Sequence, residues 1–147
     1  MIYTKKLKTI TLKVSEPVAD GEQVLTTDSA FDLLKSIYSG LDDDQEHFTI
    51  LFLNNVCKIT GFKTIFSGGQ CSAQVDIKLI FRNALIFGAM GIICCHNHPG
   101  GSLEPSEGDH ITIEAIRKAG ELLGIKLMDN FIITKTAYTS FKNRGLL

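Results

Sequence analysis

No stretch of this chain approaches the ~20 consecutive apolar residues that a bilayer-crossing helix needs, and no positively charged segment leading into an apolar run opens it. A protein of the cytoplasm with no membrane partner is the expectation. Charge of one sign is missing too, since 15 Lys and Arg stand against 16 Asp and Glu, for a net charge of -1. No overall basic field draws the chain to phosphate backbones, so a nucleic-acid partner is unsupported by charge. The one basic cluster, Lys5, Lys6, Lys8 and Lys13, alternates with Ile10, Leu12 and Val14, as on the solvated face of an edge strand. Cysteine is scarce: Cys57, Cys71, Cys94 and Cys95 make four, and two of them are neighbours in an apolar run. Adjacent residues of a strand point to opposite faces, which argues against a disulfide framework and for buried thiols acting as small hydrophobes. Internal repeats and low-complexity tracts are absent as well.

What remains is 147 residues, 44% of them apolar, enough for one ordinary core and too few for two. Residues 7–14 alternate as a strand, and the Pro- and Gly-containing stretch 15–23 reads as loop. Together they form an N-terminal extension, residues 1–26, ahead of a domain over residues 27–147. Asp28 or Ser29 caps a first helix with Phe31, Leu34, Ile37 and Leu41 at helical spacing and Gly40 at its end. An acidic connection, Asp42, Asp43 and Asp44, leads to a buried strand at 48–53. Asn54 and Asn55 offer a tight turn into a partner strand at 56–66, giving a β-hairpin.

Asp76 caps a second helix carrying Leu79, Ile80, Ala84, Leu85 and Phe87. The run Ile92-Ile93-Cys94-Cys95 reads as a central strand buried on both faces. Ser106 opens a third helix through Ile111, Ile113, Ile116, Leu122 and Leu123, which Gly124 closes. Residues 125–127 and 131–134 supply a further strand interrupted at Asp129-Asn130, and 138–141 one more. The elements interleave as a three-layer α/β or α+β domain, with a mixed sheet because one connection is a hairpin.

His96 and His98 flank Asn97 at the end of the buried strand, and in extended chain positions i and i+2 share a face. Two imidazoles can then converge on one Zn²⁺, which needs a third ligand while leaving a position open for water. Asp109 is the best nearby candidate, because it lies in the first turn of the third helix, where the macrodipole favours a carboxylate and a short loop can fold it back toward the histidines. Cys94, on the same strand face as His96, is an alternative soft ligand, with core packing the simpler account. Hydrolysis at such a site also needs a carboxylate outside the ligand set to take and return a proton. Glu46, just ahead of the strand at 48–53, stands where it can do so, unless it is one more solvated charge. Asp129 reads as a turn acid or, alternatively, as an acceptor that orients an imidazole. Ser106 is an N-cap on structural grounds alone.

The order Glu46, then His96-x-His98-x7-Ser106-x2-Asp109, resembles the JAMM signature of the JAB/MPN metalloprotease superfamily. The segment from Cys95 to Gly101, then Glu104-Pro105-Ser106 and Asp109, is similar to the RadC branch, with its His-Asn-His-Pro-Ser-Gly and Pro-Ser-x-x-Asp segments. Ser67-Gly68-Gly69, residues 81–85, Gly124-Ile125-Lys126 and residues 131–134 resemble that branch too. The resemblance covers most of residues 27–147. It implies a metalloprotease-like, three-layer fold of the cytidine-deaminase-like kind. It implies a catalytic Zn²⁺ on His96, His98 and Asp109, with Glu46 as general acid/base and Ser106 stabilising the tetrahedral intermediate. A protein or peptide substrate follows from the superfamily. The DNA-repair name of the branch supplies the alternative, an accessory or DNA-binding module without peptidase activity. Gly100 departs from the branch's usual Ser outside the ligand set, and Asn130 replaces the His of its Asp-His pair, so any role of that histidine is absent or altered here.

Overall fold

The computed structural model describes residues 26–68 and 75–147. The expected strand at 7–14, the four lysines, Cys71 and Gly69 lie outside the described residues. Helix α1 spans Thr27–Tyr38 and is followed by strand β1, Glu46–Leu53, and strand β2, Ile59–Gly68. Helix α2, Ile77–Ile86, strand β3, Gly91–Asn97, and helix α3, Glu107–Leu123, come next. Strands β4, Lys126–Ile133, and β5, Tyr138–Ser140, complete the order. The five strands form one sheet in the order β2-β1-β3-β4-β5, in which only β3 and β4 run parallel. The mixed sheet and the central place of β3 are as the sequence predicts. Among the described residues no helix is long and apolar enough to cross a membrane.

Alternation along β1 and β3 divides the core in two. Phe48, Ile50 and Phe52 of β1 and Ile92 and Cys94 of β3 face Ile80, Phe81 and Ala84 of α2 and Ile113 and Ile116 of α3. Leu51, Leu53, Ile93 and Cys95 face the other way, onto Ala30 and Leu34 of α1. The result is helix, sheet and helix in three layers. Each large apolar side chain so covered contributes about 1.5–3 kcal/mol relative to exposure. The neighbouring thiols Cys94 and Cys95 are fully buried and free, one in each half of the core, and burial pushes both thiol pKa values well up. They are small hydrophobes, and Cys94 sits among core residues apart from the polar cluster described below.

Several local expectations are corrected. The cap of α1 is Thr26, whose hydroxyl accepts from the Ser29 amide at 3.1 Å while Ser29 Oγ returns to the Thr26 amide at 3.2 Å. Asp28 and Ser29 both lie inside the first turn, and Ser39, not Gly40, is the C-cap. The hairpin turn is longer than Asn54-Asn55, because the Asn54 side chain accepts from both Val56 and Lys58 and holds Cys57 at a φ of 57°. Strand β4 is continuous through Asp129 and Asn130. Asp129 is buried there and accepts from the Asn130 amide, Ser140 Oγ and the Lys142 amide, so it ties β4 to the chain's last turn instead of making a turn or orienting a ring. Asp76, Ser106 and Gly124 cap where expected. Along α3, Ile113 and Ile116 are buried, whereas Ile111 and Leu122 are exposed.

Gly120 lets the chain fold back tightly after α3, where the Ile125 amide bonds its carbonyl at 2.8 Å. A Cβ built there lies 2.3 Å from the Ile125 carbonyl oxygen, too close for the backbone to stay where it is. In an open helix Gly→Ala stabilises by roughly 0.8–1.0 kcal/mol. Here the sign reverses: G120A destabilises by about 1–3 kcal/mol through forced backbone displacement. A urea midpoint lowered with unchanged slope is the expected observation, and a raised midpoint contradicts the close approach.

Candidate metal centre

The candidate site is built where β3 ends and α3 begins. His96 and His98 are carried by the end of β3 and the residue after it, and Asp109 is the third residue of α3. Ser106 Oγ accepts from the Asp109 amide at 3.1 Å, and Asp109 Oδ2 accepts from the Ser106 amide at 2.7 Å. This capping box fixes the Asp109 carboxylate at the positive end of the helix. From there its oxygens reach both rings: Oδ1 lies 3.1 Å from His96 Nε2 and Oδ2 lies 3.2 Å from His98 Nε2. The two Nε2 atoms are themselves 3.2 Å apart.

Ring orientation is set from outside the cluster. His98 Nδ1 lies 3.1 Å from the Ser102 carbonyl, which can only accept, so Nδ1 carries the proton and the Nε2 lone pair faces inward. His96 is almost wholly buried, and Phe48 stacks on it with ring centroids 6.0 Å apart and planes 10° from parallel. Its Nδ1 has no protein partner among the described residues, and neither do the two amide atoms of buried Asn130. Asn130 pairs with Cys94 in the parallel ladder and so shares the sheet face of His96.

Three ligand atoms of these residues fall within 4.8 Å of one another, an arrangement that could hold a metal ion. The separations test the fit. Imidazole nitrogens ~2.0–2.1 Å from a tetrahedral Zn²⁺ stand ~3.3 Å from each other, close to the 3.1–3.2 Å between the donors here. Two imidazole nitrogens and a carboxylate at that spacing suit a cation. Without one, protons take its place. Burial works against ionised Asp109, but hydrogen bonds with His96, His98 and the Ser106 amide hold its carboxyl well below the usual carboxylate range. The same hydrogen bond to Asp109 raises the His98 pKa above 6.5 against burial, with Glu46 a smaller contributor of the same sign.

Glu46 opens β1. The antiparallel β1–β3 ladder ends at the pair Phe48 and His96, with Glu46 two residues before the one and His98 two residues after the other, so both stand at the same end of that strand pair. The sequence-predicted residues are thus brought to one end of the sheet: His96, His98 and Asp109 in contact, Ser106 bonded to Asp109, and Glu46 at the start of β1. Sequence reasoning missed two neighbours. His47, buried, presents Nε2 to the Asp42 carbonyl at 2.8 Å, so that nitrogen is protonated and Nδ1 accepts from Ser67 Oγ at 2.7 Å. Asn97 joins the β1 backbone on both sides of Glu46. Neither leaves a sequence signal, because alternation reports only which face a residue takes. On the α1 side of the sheet, a cleft of about 610 Å³ is lined by Tyr38, Leu41, Asn97, His98, Pro99 and Ile133, among others.

Cobalt(II) absorption tests the cluster. Wild-type protein is expected to take up one ion, and H96A and D109A to lose that uptake. Because protons compete for His98, uptake falls as pH is lowered through the range above 6.5 where His98 gains its proton. Full uptake by both variants rules out the assignment.

Residues 24–146 match the model of the RadC-like JAB domain. A UPF0758 protein of Flavobacterium johnsoniae is 37% identical over 132 residues, covering 90% of this chain and 57% of that protein. A UPF0758 protein of Listeria monocytogenes serotype 4b is 42% identical over 101 residues, which is 69% of this chain and 45% of that one. One from Shouchella clausii is 34% identical over 122 residues, 83% and 52% of the two chains. The chain spans about half the length of the curated relatives it matches. With the matched residues containing the whole β3–α3 cluster and Glu46, the chain belongs to the RadC-like JAB domain family.

Proposed function

We propose that this chain is a zinc-dependent hydrolase of the JAMM type that cleaves peptide or isopeptide bonds. The observation that carries this reading is the convergence of two imidazole nitrogens and one carboxylate at 3.1–3.2 Å, with a second carboxylate, Glu46, on the strand that enters the sheet at the same end. His96, His98 and Asp109 hold the ion. Zinc so held would supply Lewis-acid chemistry, acidifying water and polarising a carbonyl.

Glu46 does the proton work. It stands outside the ligand set, so its carboxylate oxygen accepts the proton of the attacking water and returns it to the leaving amine. Ser106 keeps two functions. Its oxygen accepts from the Asp109 amide, and its own O–H has no protein acceptor among the described residues. That hydroxyl can donate to the oxygen that gains charge as the carbonyl is attacked. The acceptor half of the hydroxyl shapes the helix, and the donor half serves the reaction.

The accessory, DNA-associated reading draws on Lys5, Lys6, Lys8 and Lys13, which lie outside the described residues, and on no basic excess in the chain as a whole, whose net charge is -1. Nothing in the fold described favours it.

Comparing the peptides cleaved by wild type and E46Q tests the proposal. E46Q is expected to retain zinc and to lose turnover by about 10²–10⁴-fold. Unchanged turnover removes Glu46 from the mechanism, and the absence of any metal-dependent cleavage removes the hydrolase reading.

Ser106 is separable by comparing two variants, since replacing a Ser N-cap by Ala costs about 1 kcal/mol and by Gly only a few tenths. Equal losses of turnover in S106A and S106G, despite unequal thermal stability, identify the hydroxyl as the group used. Turnover that follows stability instead makes Ser106 a cap alone.

A further inference from the structure

The β1–β3 ladder ends at the pair Phe48 and His96, two residues short of Glu46 on one strand and of His98 on the other. Beyond that pair the strands are joined by side chains. The Asn97 amide spans the gap: its Oδ1 accepts from the His47 amide at 2.8 Å, and its Nδ2 donates to the Gln45 carbonyl at 2.8 Å. Those two backbone groups flank Glu46 on either side. On the α1 side of the same wedge, the Tyr38 hydroxyl lies 3.1 Å from the His47 carbonyl and 2.9 Å from the Cys95 carbonyl. Burial raises the Tyr38 pKa well above its ordinary value, so the phenol stays a neutral donor there.

We propose that Asn97 is a positioning residue: its amide, set between the two histidines, clamps the backbone around Glu46 and so fixes the carboxylate's distance from the ion that His96 and His98 hold. The proposal rests on the reading of Glu46 given above. The geometry favours it for three reasons. Alternation turns Asn97 to the sheet face opposite His96, so its side chain is free of the ligand shell. Both halves of its amide are used, one as donor and one as acceptor, which fixes its orientation and leaves neither half idle. And its contacts are to backbone 50 and 52 residues away, at the two positions that flank Glu46, on the side of β1 that β2, paired with Glu46 through Gly68, does not hold. A site whose groups must hold within about 0.5 Å needs such support.

The experiment uses the full chain labelled with ¹³C-glutamate and loaded with cobalt(II). The Glu46 side-chain signal is identified by its disappearance in E46Q, and its paramagnetic shift reports how far it stands from the ion. In wild type that shift is expected to be large. In N97A most of it is lost, while the cobalt absorption spectrum, which reports on His96, His98 and Asp109, is unchanged. N97D keeps the acceptor for His47 and loses the donor to Gln45, so it retains part of the shift and serves if N97A fails to fold. With a cleaved peptide in hand, N97A lowers kcat by up to about 10²-fold while KM holds, and adds no further loss in an E46Q background.

A wild-type shift preserved in both Asn97 variants overturns the clamp and leaves the hydrolase reading standing. Loss of the cobalt spectrum in both also overturns it, because Asn97 then builds the ligand shell and does not aim Glu46. A Glu46 signal that feels no ion in wild type defeats the underlying reading itself.

Discussion

Two nitrogen lone pairs and a carboxylate, all buried or half-buried, are forced to within 3.1–3.2 Å of one another, and a positive charge among them is what that arrangement demands. Protons supply it in the metal-free protein, which is why the Asp109 pKa falls and the His98 pKa rises together. A divalent cation supplies it better, because one ion satisfies all three donors at once where a proton satisfies two. Binding it there ties the end of β3 to the start of α3, so the site stabilises the fold that creates it, to an extent set by affinity and concentration.

Each donor is held by a feature with an ordinary structural purpose. Asp109 is aimed by the capping box that starts α3, and Ser106 satisfies the helix end by the same bonds. His98 is turned by a loop carbonyl at Ser102, and that loop is fastened to the chain's last turn through the Arg144–Glu104 ion pair. His96 is pinned by Phe48 stacked against it from β1. No element is present for the site alone. The helix N-terminus favours an anion for reasons that would hold in any helix, and here the anion is the carboxylate that both imidazoles meet.

How much of this the sequence discloses depends on whether the interaction is local. His96 and His98 are two residues apart and Ser106 and Asp109 three, so strand and helix periodicity suffice to bring each pair onto one face. The buried run of β3 and the caps at Asp76, Ser106 and Gly124 are legible for the same reason. Thr26, Asp28 and Ser29 are all good capping types, and only the extended backbone at Thr26 decides among them. The continuity of β4 was hidden because an acid inside a strand looks like a break. Asp129 belongs there only because Ser140 and Lys142, 11 and 13 residues on, satisfy it. His47 and Asn97 were invisible as members of the site, since their partners are backbone atoms or lie far along the chain.

Sheet direction explains why the chemistry lies at this end and no other. Strand β3 runs parallel to β4 and antiparallel to β1, so the carboxyl ends of β3 and β4 meet the amino end of β1 at one edge of the sheet. A crevice opens outside the carboxyl ends of parallel strands because the chain departs there into crossover connections, and ligands of open α/β sheets occupy that position. In this chain the departure after β3 carries His98 and then α3, while the entry into β1 carries Glu46. His98 therefore stands on a wall between two spaces, with the Asp109 carboxylate on one side and the 610 Å³ cleft beneath α1 on the other. Had β1 run parallel to β3, its first residues would lie at the far end of the sheet, and no single loop could return Glu46 to the histidines. The antiparallel hairpin strand is thus what brings Glu46 to the same end of the sheet as the His96, His98 and Asp109 cluster built on the parallel β3–α3 unit.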